Sequence, residues 1–291
     1  MSTYTRPGSL DDALALLADD GAAPFGGGTD LAGQADRGIR TPTVLVDLRD
    51  SGLGAIEAAD GGLRVGATVT LAELAASPLA APYAAVAHAA SLAASPLLRN
   101  AGTVGGNLCQ HTRCWYYRGE EWHCWLGGGE TCYAQIGDHR RHNLEPGDCI
   151  SAHPSDLAPA LAATGGVVEL RSSSGARELP LLELYRTPTA DNRSLLTLGP
   201  GELVVAVRLP APPDASAYER LGERAAFSFP LVSVAAARRG SETRLVAAGV
   251  ANVPRELDPA DPLAGLPGNP QTGWKRRALE TLAERAAAAV A

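Results

Sequence analysis

All five cysteines of this 291-residue chain fall between Cys109 and Cys149. The stretch that holds them, "NLCQHTRCWYYRGEEWHCWLGGGETCYAQIGDHRRHNLEPGDC" from Asn107, also carries three of the four tryptophans and four of the six histidines. It has too few aliphatic side chains to order itself as a core, so something else must hold it. A secreted disulfide framework spreads its cysteines along the chain to staple distant loops. An odd number crowded into one segment points instead to a metal or cluster site in a reducing compartment. From the residues alone the metal stays open: a Cys/His zinc site would draw on the same cysteines with His123, His139 or His142.

The rest of the composition narrows the function classes. A hydrophobic fraction of 45% and a charged fraction of 20% are ordinary for a globular protein, and the length allows two or three lobes. With a net charge of −7 and no Lys/Arg run, the chain lacks the phosphate-neutralising surface of a nucleic-acid binder. No apolar stretch is long enough to cross a bilayer. The opening "MSTYTRPGSLDDALALL" has no charged region followed by an apolar one, so a cytoplasmic setting is expected, with export on a partner's signal as the alternative.

Local patterns predict alternating elements. Ser9 can cap a helix "LDDALALLADD", with Asp12 as a capping partner, and Thr70 with Glu73 forms a capping box opening "LAELAAS". "TVLVDLRD" and "LRVGATVT" read as strands, and "YAAVAHAASLAAS" and "DLAPALAAT" as helices. A proline-bearing stretch from Leu179 to Leu195 predicts a domain boundary. "GELVVAVRLP", "FPLVSVAAARR" and "TRLVAAGVANV" then read as strands before a closing helix, "TGWKRRALETLAERAAAAVA", which together suggest an α+β lobe.

Two glycine-rich turns stand beside these elements. "FGGGTDL" (Phe25 to Leu31) places three glycines before Thr29 and Asp30, and "AGTVGGN" (Ala101 to Asn107) repeats small residues around Thr103. Glycine allows amides to converge on anionic oxygens and lets a phosphate approach the backbone. Neither turn is a Walker motif or a GxGxxG fingerprint. Either alone reads as a tight turn; together they suit a diphosphate held between two lobes.

"PFGGGTDL", "RNAGTVGGNL", "HPSDLAPALAA" and "AFSFPLVSVAAA", in that order, resemble the FAD-binding subunit of the molybdenum hydroxylases, a family that includes xanthine dehydrogenase, carbon monoxide dehydrogenase and aldehyde oxidoreductases. The resemblance implies an α+β fold. A two-lobed FAD-binding domain of the vanillyl-alcohol-oxidase (PCMH) type would span 1–178, with lobes of about 1–53 and 54–178, and a smaller C-terminal α+β domain would span 179–291. It implies that Phe25, Gly26, Gly27, Gly28, Thr29, Asp30 and Leu31 hold the FAD diphosphate, with Thr103, Gly106 and Asn107 on its other side. Asp156 of "HPSD" would contact ribityl or ribose hydroxyls, and Arg220 would lie near the flavin ring. No catalytic residue is expected in this chain, because the redox chemistry belongs to the cofactor.

The segment between the second glycine turn and "HPSD" is enlarged, as in 4-hydroxybenzoyl-CoA reductase and bacterial periplasmic aldehyde oxidoreductases. The form here, with its cysteine-rich loop 109–150, is closer to the latter. That likeness implies a [4Fe–4S] cluster on four of the five cysteines. Cys109 directly follows the flavin turn, where related sequences often carry an apolar residue. The expected ligands are therefore Cys114, Cys124, Cys132 and Cys149, separated by nine, seven and sixteen residues. Trp115, Tyr116, Tyr117, Trp122 and Trp125 are expected to shield the cluster from water. The implied function is that of an FAD-containing electron-transfer subunit in a heterotrimer with a molybdenum-cofactor large subunit and a [2Fe–2S] small subunit, oxidising an aldehyde or N-heterocycle, with no nucleic-acid or membrane partner. Two other readings stay open: a self-contained flavin oxidase, and a zinc-stabilised interaction protein without enzymatic activity.

Overall fold

A computed structural model describes residues 2–291. β1 (Thr3–Thr5), β2 (Ala22–Phe25) and β3 (Val44–Asp47) form a parallel sheet in the order β1-β3-β2. Parallel strands need a crossover, and the helix Leu10–Leu17 supplies the one between β1 and β2. Ser9 starts that helix by accepting the Asp12 amide at 3.1 Å, and Ala13, Leu14 and Leu17 are its buried face. The crossover from β2 to β3 carries the first glycine turn and a short helix, Leu31–Asp36. The turn therefore leaves the carboxyl end of a parallel strand, the end at which open α/β sheets form their crevices.

β4 (Ile56–Ala59), β5 (Gly62–Gly66), β6 (Val167–Ser172), β7 (Gly175–Pro180) and β8 (Leu203–Leu209) form an antiparallel sheet in the order β4-β5-β8-β6-β7. The central strand β8 is buried along its length except at Arg208. Val167 pairs with Pro180 on one side and with Arg208 on the other. The boundary expected between residues 178 and 179 thus cuts through a sheet, and the chain leaves this sheet only after Leu209. Prolines are excluded from central strands, so the excursion between β7 and β8 looks like a linker in sequence although it returns to the same core.

β9 (Ala215–Gly222), β10 (Pro230–Arg239), β11 (Glu242–Ala248) and β12 (Arg255–Leu257) form a second antiparallel sheet, ordered β12-β11-β10-β9. Alternation along β10 decides its packing. Ala235 and Ala237, with Tyr218 and Val246, join the core shared with the first two sheets, while Val232, Val234 and Ala236 face the helix Gly273–Ala288. The helix Leu157–Ala163, buried on all sides, and the helix Ala84–Leu92 lie against the inner face. The Thr70 capping box is present, with Glu73 N donating to Thr70 Oγ1 at 3.2 Å and Thr70 N to Glu73 Oε2 at 2.8 Å. The architecture is α+β, as the sequence indicated.

The cysteine-rich segment contributes no strand. It folds as single turns at Trp115–Arg118, Trp125–Gly127 and Tyr133–Ile136, docked against the third sheet and the last helix. Leu144 N donates to Val250 O at 2.7 Å and His153 N to Ala251 O at 2.8 Å. Lys275, fully buried on the last helix, donates from Nζ to the carbonyls of Arg141 at 3.2 Å, His142 at 2.8 Å and Gly249. Among the described residues no helix is long and apolar enough to cross a membrane.

Candidate functional site

The two glycine turns meet. A Cβ on Gly27 would stand 1.6 Å from Ala101 O, so only glycine lets the first turn touch the second. Gly28 takes φ +68°, which an L side chain resists. Thr103 Oγ1 accepts the Gly106 amide at 3.1 Å and shapes the opposing turn. Among the described residues the amides of Gly27, Gly28 and Thr29 donate to no other residue of the chain. They open onto a cleft of about 510 Å³, whose wall includes Phe25 through Leu31, Thr103 and Gly106.

Asp30 would repel an anion in this cleft were it not compensated. Its carboxylate lies 2.6 Å from Arg113 Nη1 and 2.8 Å from Arg118 Nη2, and accepts from His111 N and Gln34 Nε2 at 2.9 Å. Burial pushes its carboxyl upward, but the two guanidiniums and the His111 amide hold it below the usual range. Arg40 adds a further cation on the cleft wall.

Three expected contacts lie off that wall. Asn107 Oδ1 accepts from Ser155 Oγ at 2.6 Å and so ties the second turn to the helix Leu157–Ala163. Asp156, 3% exposed, accepts from Tyr218 Oη at 2.7 Å and lies 3.5 Å from Arg220 Nε. Burial lifts the Asp156 carboxyl to about 6 despite Arg220. Arg220 itself donates to Leu92 O at 2.6 Å and Ser228 O at 2.5 Å. Each of the three joins elements of the fold.

A second pocket of about 280 Å³ lies between the cysteine-rich segment and the loop before β10, with Leu98, Pro154 and Phe229 among its walls. Three nitrogens from its lining residues, Arg113 Nε, His142 Nδ1 and His153 Nε2, are buried without a hydrogen-bond partner. Arg113 also stacks over the Phe229 ring at 4.2 Å.

Four of the five cysteines share one place in the fold. Cys114, Cys124, Cys132 and Cys149 line one small cavity with Tyr117, Trp125 and Tyr133, whereas Cys109 lies on the cleft wall. Burial pushes the Cys114 thiol up to about 12, and nearby Cys149 and Cys124 push the same way. Burial raises Cys124 and Cys149 as well. Opposing that, nearby backbone amides favour the thiolates: those of Tyr117 and Tyr116 at Cys114, of Gly127 and Leu126 at Cys124, and of Ser151 at Cys149. His142 Nε2 lies 3.1 Å from Cys114 Sγ. Donors beside buried sulfurs fit thiolates shared with a cationic centre better than neutral thiols. Among the described residues, however, no group of three or more His, Cys, Asp or Glu side chains is arranged to hold a metal ion. A tetrahedral ion about 2.3 Å from each sulfur would need a tighter convergence than a multi-iron core does.

Of the expected aromatic cover, Tyr117 and Trp125 are buried beside the thiols. Tyr116 also lines the cavity, Trp122 packs on it with the rings 5.3 Å apart, and Trp115 packs edge-on to His142 at 5.2 Å. Arg193 clamps the segment by donating at 2.7 Å to the carbonyls of both Trp125 and Gly129.

Residues 1–212 match the family model described as "FAD binding domain in molybdopterin dehydrogenase". The chain belongs to the FAD-binding subunits of the molybdenum hydroxylases. It is accordingly an oxidoreductase subunit. It is 37% identical over 268 residues to the aldehyde oxidoreductase FAD-binding subunit PaoB of Escherichia coli, covering 89% of this chain and 84% of that one. The carbon monoxide dehydrogenase medium chain of Afipia carboxidovorans is 30% identical over 224 residues, covering 75% and 62%. The nicotine 6-hydroxylase medium subunit of Paenarthrobacter nicotinovorans is 26% identical over 276 residues, covering 92% and 82%. The fold superposes on reconstituted carbon monoxide dehydrogenase from Oligotropha carboxidovorans with a TM-score of 0.74 at 24% identity, covering 100% of this chain and 97% of that one.

Sequence reading missed several groups of this FAD-binding subunit. Leu196, Leu198 and Glu202 form part of the cleft wall, although they fall after the stretch read as a boundary. Nothing local marks them. Arg113 and Arg118 are visible as basic residues around "CWYY", but no spacing rule ties them to an aspartate more than 80 positions earlier.

Proposed function

We propose that this subunit binds FAD in the cleft and a [4Fe–4S] cluster on Cys114, Cys124, Cys132 and Cys149, and transfers electrons within a heterotrimeric molybdenum-dependent hydroxylase. In this reading a large subunit with the molybdenum cofactor oxidises an aldehyde or N-heterocycle, and a small subunit with [2Fe–2S] clusters passes electrons to this chain for delivery to a terminal acceptor. The substrate class follows the names of the relatives, PaoB for aldehydes and the nicotine 6-hydroxylase subunit for N-heterocycles.

One observation carries the reading. The amides of Gly27, Gly28 and Thr29, with no partner among the described residues, line a cleft sized for a nucleotide together with the second glycine turn. These amides would meet the diphosphate oxygens, with Thr103 and Gly106 closing the opposite side. Arg113 and Arg118 neutralise Asp30, leaving the cleft favourable to an anion. Leu98, Pro154 and Phe229 in the second pocket suit an apolar ring, and His153 Nε2 offers it a polar contact. Asn107, Asp156 and Arg220 fix the elements between the two pockets. When bound, FAD would supply a carrier of one or two electrons and the cluster a carrier of one. Tyr117 and Trp125, buried beside the thiols, would keep water from the second centre, and the nearby backbone amides would bias its potential.

Absorption spectra and metal analysis of the purified protein test this. Bound flavin with about four irons per chain is expected. Flavin with a single zinc would transfer the thiols to the zinc reading, and a protein holding neither flavin nor iron would end the proposal. Strong aldehyde oxidation by the isolated chain would favour the self-contained oxidase instead.

A further inference from the structure

The Cys114 sulfur has a side-chain neighbour that sequence spacing does not reveal. His142 is 3% exposed, and its Nε2 lies 3.1 Å from Cys114 Sγ. Its placement is fixed from several directions. The backbone N–H donates to His139 O at 2.9 Å, the carbonyl accepts from buried Lys275 Nζ at 2.8 Å, and the ring packs edge-on against Trp115. The other ring nitrogen, Nδ1, is buried without a partner, and the residue lines the second pocket. Of the four thiols in the small cavity, Cys114 is also on the wall of that pocket. The His142–Cys114 contact therefore stands where the two cavities adjoin.

We propose that His142 is a positioning residue that donates its Nε2–H to the Cys114 thiolate and thereby raises the reduction potential of the centre those thiols hold. The inference rests on the thiol assignment proposed above. A thiolate facing this imidazole can only accept, so the proton must reside on Nε2 and the bare Nδ1 turns toward the second pocket. A hydrogen bond to a ligating sulfur withdraws electron density and favours the reduced, more negative core. Cys149 has a weaker counterpart in Ser151, whose Oγ lies 3.3 Å from its sulfur. The imidazole differs in being held rigidly at the corner that faces the flavin pocket.

The test uses the loaded holo complex. His142→Phe should keep its iron and FAD. At a fixed ambient potential the ratio of reduced to oxidised cluster should fall about tenfold, or 59 mV for a one-electron couple, as read by an EPR-monitored redox titration. His142→Gln, which retains a donor, should recover much of that shift. If His142→Phe holds full iron and titrates like the parent, the inference fails while the cluster reading stands. If the parent holds no iron, both fail. Should the phenylalanine variant lose its iron, the parent labelled with ¹⁵N-histidine decides: pulsed EPR of the reduced cluster should show a histidine nitrogen coupling, and its absence overturns the proposal.

Discussion

Asp30 and Arg113 form an ion pair at 2.6 Å that ties the first glycine turn to the residue immediately before Cys114. Arg118 reaches the same carboxylate at 2.8 Å from beyond Cys114, so one side chain of the glycine turn holds both flanks of that cysteine. The side chains of the three residues are between 12% and 25% exposed, so their mutual neutralisation is only partly screened by water. The cleft and the thiol cavity are thus mechanically one unit.

Asp30→Asn should leave two largely buried guanidiniums facing a neutral amide. The loss should be on the order of 3 kcal/mol, within the range seen when one partner of a buried pair is removed. Urea denaturation of the holo protein measures it. An unchanged midpoint with an unchanged slope would show that the pair contributes nothing.

Gly27→Ala should abolish tight FAD binding, by about 100-fold or more, because its Cβ would overlap the Ala101 carbonyl. Gly33→Ala is the matched control, since nothing lies within 4 Å of a Cβ added there. Flavin fluorescence titration of the two apo proteins compares them directly. Equal affinities would mean that the turns separate on binding.

Cys132→Ser should lower iron content while most of the FAD remains bound, because this thiol lines the small cavity and not the cleft. Cys109→Ser should leave iron at the parental level. Colorimetric iron and flavin assays on both proteins suffice, and equal iron loss would make Cys109 a ligand.

Mild acid should destabilise the protein through its buried histidines, offset in part below pH 6 by Asp156, whose raised carboxyl takes up its proton first in the folded state. Burial holds His153 down to about 3, and His111 and His142 to about 4, against about 6.5 in an unfolded chain. As pH falls from 6.5 towards 4, the unfolded state takes up protons that the folded state refuses. Stability then drops by about 1.4 kcal/mol per pH unit for each such histidine, and it is regained above pH 6.5. Melting temperatures measured between pH 8 and pH 5 should decline, and His153→Gln should flatten the decline. A slope identical to the parent's would place the His153 pKa near normal.

Several features are legible in the sequence alone. Ser9 and Thr70 cap the helices they were expected to cap, since capping depends on neighbours three residues away. Strand β10 shows its two-sided burial in the run "LVSVAAA". Strand β9 was missed, because "ASAYERLG" mixes polar and apolar residues and becomes a strand only by pairing with β10. The domain boundary was misplaced for a related reason: a proline-rich excursion looks like a linker whether or not the chain returns to the same sheet.

By itself the sequence determined the chemistry on offer: two runs of glycine able to present bare amides, and thiols crowded where no apolar core could form. Those are properties of residue type and short spacing. Only the tertiary structure decided how that chemistry is arranged. It set Gly27 against Ala101, gathered four of the five cysteines into one cavity, turned Asp156 and Arg220 inward to brace the fold, and brought His142 to a sulfur 28 positions earlier. Contacts of that kind depend on how sheets and helices stack, and stacking is fixed by the whole buried surface rather than by any one segment.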